Sequence, residues 1–184
     1  MPEYRRVYIE GGTYFITVVT YNRLPIFNNH RARNLLRNTW NNISQRLPFK
    51  TVAYCLLPDH LHTIMTLPDG DANYSMRIRE IKRIFTRFYL AENPRQSPRN
   101  ASRNHKHEAA IWQRRFWEHT ILDEEDFNNH IEYIHFNPVK HGLVANVSDW
   151  QWSSFYRYVK MGFYDMNWGS NYSNPNDPSN YGDA

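Results

Sequence analysis

The stretch Tyr54-Cys55-Leu56-Leu57-Pro58-Asp59-His60-Leu61-His62-Thr63-Ile64-Met65-Thr66-Leu67 leaves the chain few ways to fold. Two apolar runs, 51–57 and 60–67, are separated only by Pro58-Asp59, so they read as neighbouring strands with a tight connection. Side chains alternate across a strand, which puts His60 and His62 on one face and Leu61 on the other. Two imidazoles on one face can hold a divalent ion if the rest of the chain brings a third ligand. Alone, such a pair is more often a polar strand surface than a metal site.

The elements around this pair follow from periodicity. Gly11-Gly12 precedes a β-branched and aromatic run, 13–21, read as the first strand. Apolar positions at helical spacing (Ala32, Leu35, Leu36, Trp40, Ile43, Leu47) predict a helix over 29–46, ended near Pro48. A second helix is expected over 76–92, capped by Ser75, with Ile78, Ile81, Ile84, Phe85 and Phe88 on its core stripe and Arg79, Arg83 and Arg87 on another face beside Lys82. Residues 93–108, rich in Pro, Ser, Asn, Arg and His, read as a mobile basic loop. A fourth strand is expected over 111–122. Asp123 then caps a helix over 124–137 with Phe127, Ile131 and Ile134 buried, and Pro138 and His141-Gly142 close it. A short aromatic helix follows from 155 to 161, and 165–184 reads as a poorly ordered tail. The order β-α-β-β-α-β predicts an α+β, ferredoxin-like (RRM-like) antiparallel sheet with helices on one face, plus an added helix and the tail, and a single domain over 1–164.

Charge narrows the partners. The 184 residues carry a net charge of +4, but 11 of the 22 Lys and Arg residues fall between Arg77 and Arg115 with only three acids. Such segregation suits a polyanion-facing surface, with a solvated basic face as the alternative. Cys55 is the only cysteine, which excludes a disulfide framework and a thiolate metal cluster. No apolar run is long enough for a membrane span, and the first residues, Met1-Pro2-Glu3-Tyr4-Arg5-Arg6, lack the apolar core of a signal peptide, so a bacterial cytoplasmic location is expected.

In the helix after strand four, Tyr133 and Asn137 stand four apart and share a face. Asn137 offers an amide oxygen suited to a hard cation, and Tyr133 a phenol able to act as a nucleophile. From the residues alone, Tyr133 is more often a core residue and Asn137-Pro138 reads first as a helix terminus. Read as strings, Gly11-Gly12-Thr13-Tyr14-Phe15, Leu57-Pro58-Asp59-His60-Leu61-His62, Trp112-Gln113-Arg114-Arg115-Phe116-Trp117, Tyr133-Ile134-His135-Phe136-Asn137-Pro138-Val139-Lys140-His141-Gly142-Leu143-Val144 and Trp152-Ser153-Ser154 give a resemblance. The chain resembles the single-tyrosine transposases of the His-hydrophobic-His nuclease class, and more narrowly the REP-associated tyrosine transposases.

That resemblance implies Tyr133 as nucleophile, with His60, His62 and Asn137 holding Mg2+ or Mn2+; insertion-sequence relatives often carry Gln where this chain has Asn137. It implies single-stranded DNA cleavage at palindromic hairpins through a 5′-phosphotyrosine that a 3′-OH can later attack, by a monomer or homodimer. A phenol is mostly protonated at neutral pH, and Asp59 and His130 are candidates to assist it. Arg79, Lys82, Arg83, Arg87, Arg114 and Arg115 are the expected backbone contacts, with Trp112 and Trp117 able to stack on bases or pack in the core. A non-catalytic nucleic-acid-binding module and a hydrolase that releases its product remain as rival readings.

Overall fold

The computed structural model describes residues 7–94 and 98–170. The first six residues, 95–97 within the expected loop and the larger part of the expected tail lie outside the described residues. Four strands, β1 (Thr13–Val19), β2 (Lys50–Leu56), β3 (His60–Thr66) and β4 (Trp117–Thr120), form one antiparallel sheet in the order β2-β3-β1-β4. Helices α1 (His30–Arg46) and α2 (Tyr74–Glu92) are the crossovers of the ferredoxin-like unit.

The sheet is buried on both faces, which is why β1 and β3 are nearly continuous in apolar residues rather than alternating. Tyr14, Ile16, Val18, Leu61 and Met65 pack under α1 and α2 with Ile43, Ile78, Ile81 and Phe85. Phe15, Ala53, Cys55, Leu57 and Ile64 face the other way, against Ile131, Tyr133 and Ile134 of α4 (Glu124–Lys140) and Tyr158 of α5 (Phe155–Lys160). The added helix therefore covers the face that a minimal ferredoxin-like fold leaves open.

Several boundaries differ from expectation. Helix α2 begins at Tyr74 because Asn73, not Ser75, is the cap: its Oδ1 accepts from the Met76 N–H at 3.0 Å and from the Ser75 hydroxyl. Phe88 lies off the core stripe at 45% exposure, under the Arg87 guanidinium. The expected loop contains a short helix, α3 (Ala101–His105), capped by Asn100. Arg103 anchors it: the buried guanidinium donates to the Ala109 and Trp112 carbonyls and lies over the Tyr21 ring. Residues 163–170 also belong to the folded body, with Trp168 stacked on Tyr164 at 4.4 Å.

Residues 150–154 protect the edge of β2. The Leu56 N–H donates to Trp152 O and the Ser154 N–H to Tyr54 O, both at 2.8 Å. Ser154 Oγ accepts from the Tyr54 N–H and lies 2.8 Å from His135 Nε2, tying α4 to this edge. Burial lowers the His135 pKa from 6.5 to about 3, so the ring is neutral when folded. Above about pH 6.5 it is neutral in both states and adds no pH dependence. Below that, the unfolded chain takes the proton and stability falls until about pH 3, by about 1.4 kcal/mol per pH unit from this group. Urea unfolding between pH 6 and 4.5 is expected to show a shallower slope for His135→Gln than for the native chain. Equal slopes would refute this origin.

Candidate metal and nucleophile site

Strand β3 carries His60 and His62 on the face turned to α4, with ring centroids 4.7 Å apart. Each imidazole is held by its Nδ1. Asp59 Oδ1 accepts from His60 Nδ1 at 2.6 Å, and Thr17 Oγ1, from the paired position on β1, lies 2.8 Å from His62 Nδ1. Nε2 is then the atom each ring presents, the arrangement by which outer groups fix the tautomer of a metal-ligating histidine. Burial, then the neighbouring charges of His60, His141 and Lys140, push the His62 pKa well below 6.5, so its ring is neutral and able to ligate.

Asp59, expected as a helper of the phenol, has its carboxylate on His60 Nδ1 and Arg23. Burial pushes its pKa up, but hydrogen bonds from His60 and Arg23 outweigh this and hold it below the ordinary range. The turn that places it is closed by the Leu57 N–H on His60 O, and its two carbonyls accept from the Phe27 and Thr20 N–H groups.

Helix α4 brings the second half of the site. Tyr133 is buried against His62, with ring centroids 5.3 Å apart, and two turns later His141 stands 5.4 Å from His60. Asn137 lies between them on the same helical face and is fully buried. His60 Nε2 and both polar atoms of the Asn137 side chain have no hydrogen-bond partner among the described residues. Buried polar atoms left in that state cost about 1–3 kcal/mol each. A donor set of two imidazole nitrogens and an amide oxygen fits a divalent cation, which would satisfy His60 Nε2 and Asn137 Oδ1.

Of the two expected closing signals, His141-Gly142 ends the helix and Pro138 does not. It lacks only its own N–H, and α4 runs on to Lys140, closed by the His141 N–H on Asn137 O. Lys140 thereby stays helical, with its Nζ 4.7 Å from the centre of the Tyr133 ring. Sequence reasoning missed this cation because it placed Lys140 outside the helix. It also missed Thr17, whose role depends on strand register.

His130 faces a different group. Its Nδ1 lies 2.8 Å from Asp126 O, and its ring stacks on His119 at 4.7 Å. His119, Asp126 and His130 bring ligand-type atoms within 4.8 Å of one another, beside the first turns of α4. Asp126 also accepts from His119 Nε2 and from the Leu122 N–H, so the cluster pins the start of α4 to the end of β4.

The six expected DNA-contacting cations lie elsewhere. Arg79, Lys82, Arg114 and Arg115 line an open groove of about 760 Å3 between α2 and the approach to β4, floored by Phe116 and the buried Glu118. Glu118 pairs with Ile16 in the sheet, so this groove is on the α2 face, across the sheet from the histidines. Some of its charge is already engaged: Lys82 donates to Gln113 O, and Arg114 Nε is 2.7 Å from Glu108. Arg83 forms a fork with Glu80, and Arg87 covers Phe88. Trp112 packs in the core against Phe27 and Phe85, while Trp117 is half-buried on the edge of Phe15.

Residues 9–137 match the IS200-like transposase family. The chain belongs to that family. Within it, this transposase is 42% identical over 168 residues to the REP-associated tyrosine transposase of Escherichia coli (strain K12), covering 91% of each chain. It is 46% identical over 171 residues to a Haemophilus influenzae protein provisionally assigned the same type, covering 93% of this chain and 95% of that one. A solved structure of a REP-associated tyrosine transposase bound to a REP hairpin superposes with a TM-score of 0.77 at 38% identity and covers 96% of both chains. These matches bear out the resemblance carried by the motif strings and the ferredoxin-like reading of the transposase fold. Among the described residues, no helix is long and apolar enough to cross a membrane.

Proposed function

We propose that this chain is a metal-dependent endonuclease and strand transferase that cuts single-stranded DNA at or near REP-type hairpins through a 5′-phosphotyrosine on Tyr133. The observation that carries this reading is the meeting of Tyr133 with His62, and of His141 with His60, with the buried Asn137 between. The names of the relatives and the hairpin bound by the structural neighbour support the substrate class.

His60 and His62 present Nε2, and Asn137 its amide oxygen, as the ligand set. These residues would hold a divalent ion, magnesium or manganese by their suitability for phosphoryl chemistry, which would supply charge neutralisation at the phosphate. Asp59 and Thr17 keep the two rings aimed. The Tyr133 oxygen attacks phosphorus in line. The phenolic proton is lost as the new P–O bond forms, the bond to the 3′ oxygen breaks, and that oxygen takes up a proton. The product is a tyrosyl 5′-phosphodiester and a free 3′-OH, and a 3′-OH attacking the same phosphorus reverses the step without a nucleotide cofactor. Lys140, over the Tyr133 ring, offsets the negative charge that gathers there. Arg79 and Arg115, with Lys82, Arg83, Arg87 and Arg114, hold the phosphate backbone on the far face, which requires the DNA to pass around the sheet.

The test is incubation with oligonucleotides carrying host palindromic repeats and their unpaired flanks, with manganese or magnesium, followed by a denaturing gel and peptide mapping. A covalent adduct on the peptide containing Tyr133 is the expected result. Retarded complexes on a native gel without any adduct would favour a binding module. Asp59→Asn is a finer probe, because loss of the carboxylate behind His60 is expected to weaken Mn2+ binding by about 10- to 100-fold. Unchanged affinity in a calorimetric titration would refute its positioning role.

A further inference from the structure

A second groove, of about 440 Å3, lies at the opposite edge of the same helix layer, between α1, the β2 edge and residues 151–157. Arg33, Arg37 and Arg157 line it with Trp40, Tyr54 and Trp152, and no acidic residue takes part. None of these residues is used by the catalytic reading. The volume lies within the range of small-ligand pockets, about 300–1,000 Å3.

Three features point to an unpaired nucleotide as its occupant. The Arg33 guanidinium lies 4.6 Å from the centre of the Trp152 ring, an aromatic–guanidinium pair of the sort on which splayed bases stack. Arg33 Nε is a buried donor without a hydrogen-bond partner among the described residues, so a donor at this edge is still to be satisfied. Arg37 is exposed at the rim, while Arg157 is fixed by donating to the Thr51 and Val52 carbonyls. Cations without acids favour a polyanion, and flat rings beside them favour one with bases to stack.

The groove is also placed to matter. Its floor includes Leu61, the residue between His60 and His62 on β3. One strand tip thus offers two imidazoles to the catalytic face and an apolar floor to the groove. We infer that this groove is a single-stranded DNA site that stacks an unpaired base of the segment flanking the hairpin on Trp152 and its neighbours, with Arg33 and Arg37 on the adjoining phosphate. The inference rests on the reading of the chain as a DNA-cleaving transposase, but its readout is binding alone.

The experiment measures fluorescence anisotropy in EDTA, where no metal-dependent cleavage occurs, using a hairpin with unpaired flanks and the same hairpin as a blunt stem. Trp152→Ala is expected to weaken binding of the flanked hairpin by about five- to a hundredfold and leave the blunt stem unchanged. Arg37→Ala, an exposed position where folding is not at stake, is expected to lower the slope of log K against log salt by about one for the flanked hairpin only. With 5-iodouracil in the flank, crosslinking should fall on peptides containing Trp152, Trp40 or Tyr54. Wild-type affinity and slope in both variants would overturn the inference. So would equal losses on flanked and blunt hairpins, or an effect on self-association with DNA binding intact. A failed adduct assay with these effects present would remove the catalytic reading and leave the groove standing.

Discussion

Tyr133→Phe is expected to abolish the covalent adduct and lower strand cleavage by at least about 10^3-fold, with DNA affinity unchanged within about twofold. The substitution removes one oxygen and keeps the ring. That ring has its structural duties elsewhere: its edge meets Phe15 at 5.9 Å and His62 at 5.3 Å, and Lys140 sits above it. The fold and the neighbouring imidazoles should therefore be undisturbed, and circular dichroism with a thermal melt would establish that. Cleavage that survives in Tyr133→Phe would identify a hydrolase using water, and the tyrosine would revert to a core residue. Adduct formation in that variant would mean that another nucleophile had been overlooked.

The largest stability effect is expected at Arg77, whose side chain is almost wholly buried in the first turn of α2. Its guanidinium donates to Pro48 O through Nε and Nη2, to Asn73 O through Nη1 and to Asp71 Oδ2 at 2.7 Å. These bonds join the end of the α1–β2 connection to the start of α2. Arg77→Ala opens a cavity and strips these partners at once, for an expected loss of about 3–5 kcal/mol. In a chain of this size that lowers the melting temperature by roughly 6–20 °C. A loss under about 1 kcal/mol in urea unfolding would show that water replaces the guanidinium without difficulty.

How much of this was legible in the sequence depended on the range of the interactions involved. The β-α-β-β-α-β order, the shared face of His60 and His62 and the Tyr133–Asn137 pairing follow from periods of two and 3.6, and the structure has them. The fourth strand was over-read. Of 111–122 only Trp117–Thr120 forms a continuous strand; 111–113 meets the end of β1 at a single bridge, Trp112 to Thr20, and distant cations take the carbonyls that follow: Arg103 bonds Trp112 O, and Lys82 bonds Gln113 O and Arg114 O. Nothing local in 111–116 announces those partners. Arg103 was counted as loop charge, yet it is buried under Tyr21 and organises α3. The cations expected to contact DNA were identified by charge clustering and by their four-residue spacing on α2, and neither says which face of the sheet they reach. The His135–Ser154–Tyr54 chain and Thr17 behind His62 likewise required pairings across 19 to 100 residues.

The position of α4 in the chain has a consequence for biosynthesis. By Thr120 every strand of the sheet, both histidines and the α1 and α2 layer have been made, while Phe15, Leu57 and Ile64 still lack the helix that covers them. On the reading proposed above, a nascent chain at that stage has the His60/His62 strand but not the proposed nucleophile, and one apolar sheet face is open to solvent or to a chaperone. The phenol and its cover arrive together on the last long helix. With Tyr133 as the proposed nucleophile, ribosomal stalling or truncation before residue 133 is expected to yield a sticky but chemically inert fragment, so that the capacity to cut DNA and the closure of the second core are gained in one event.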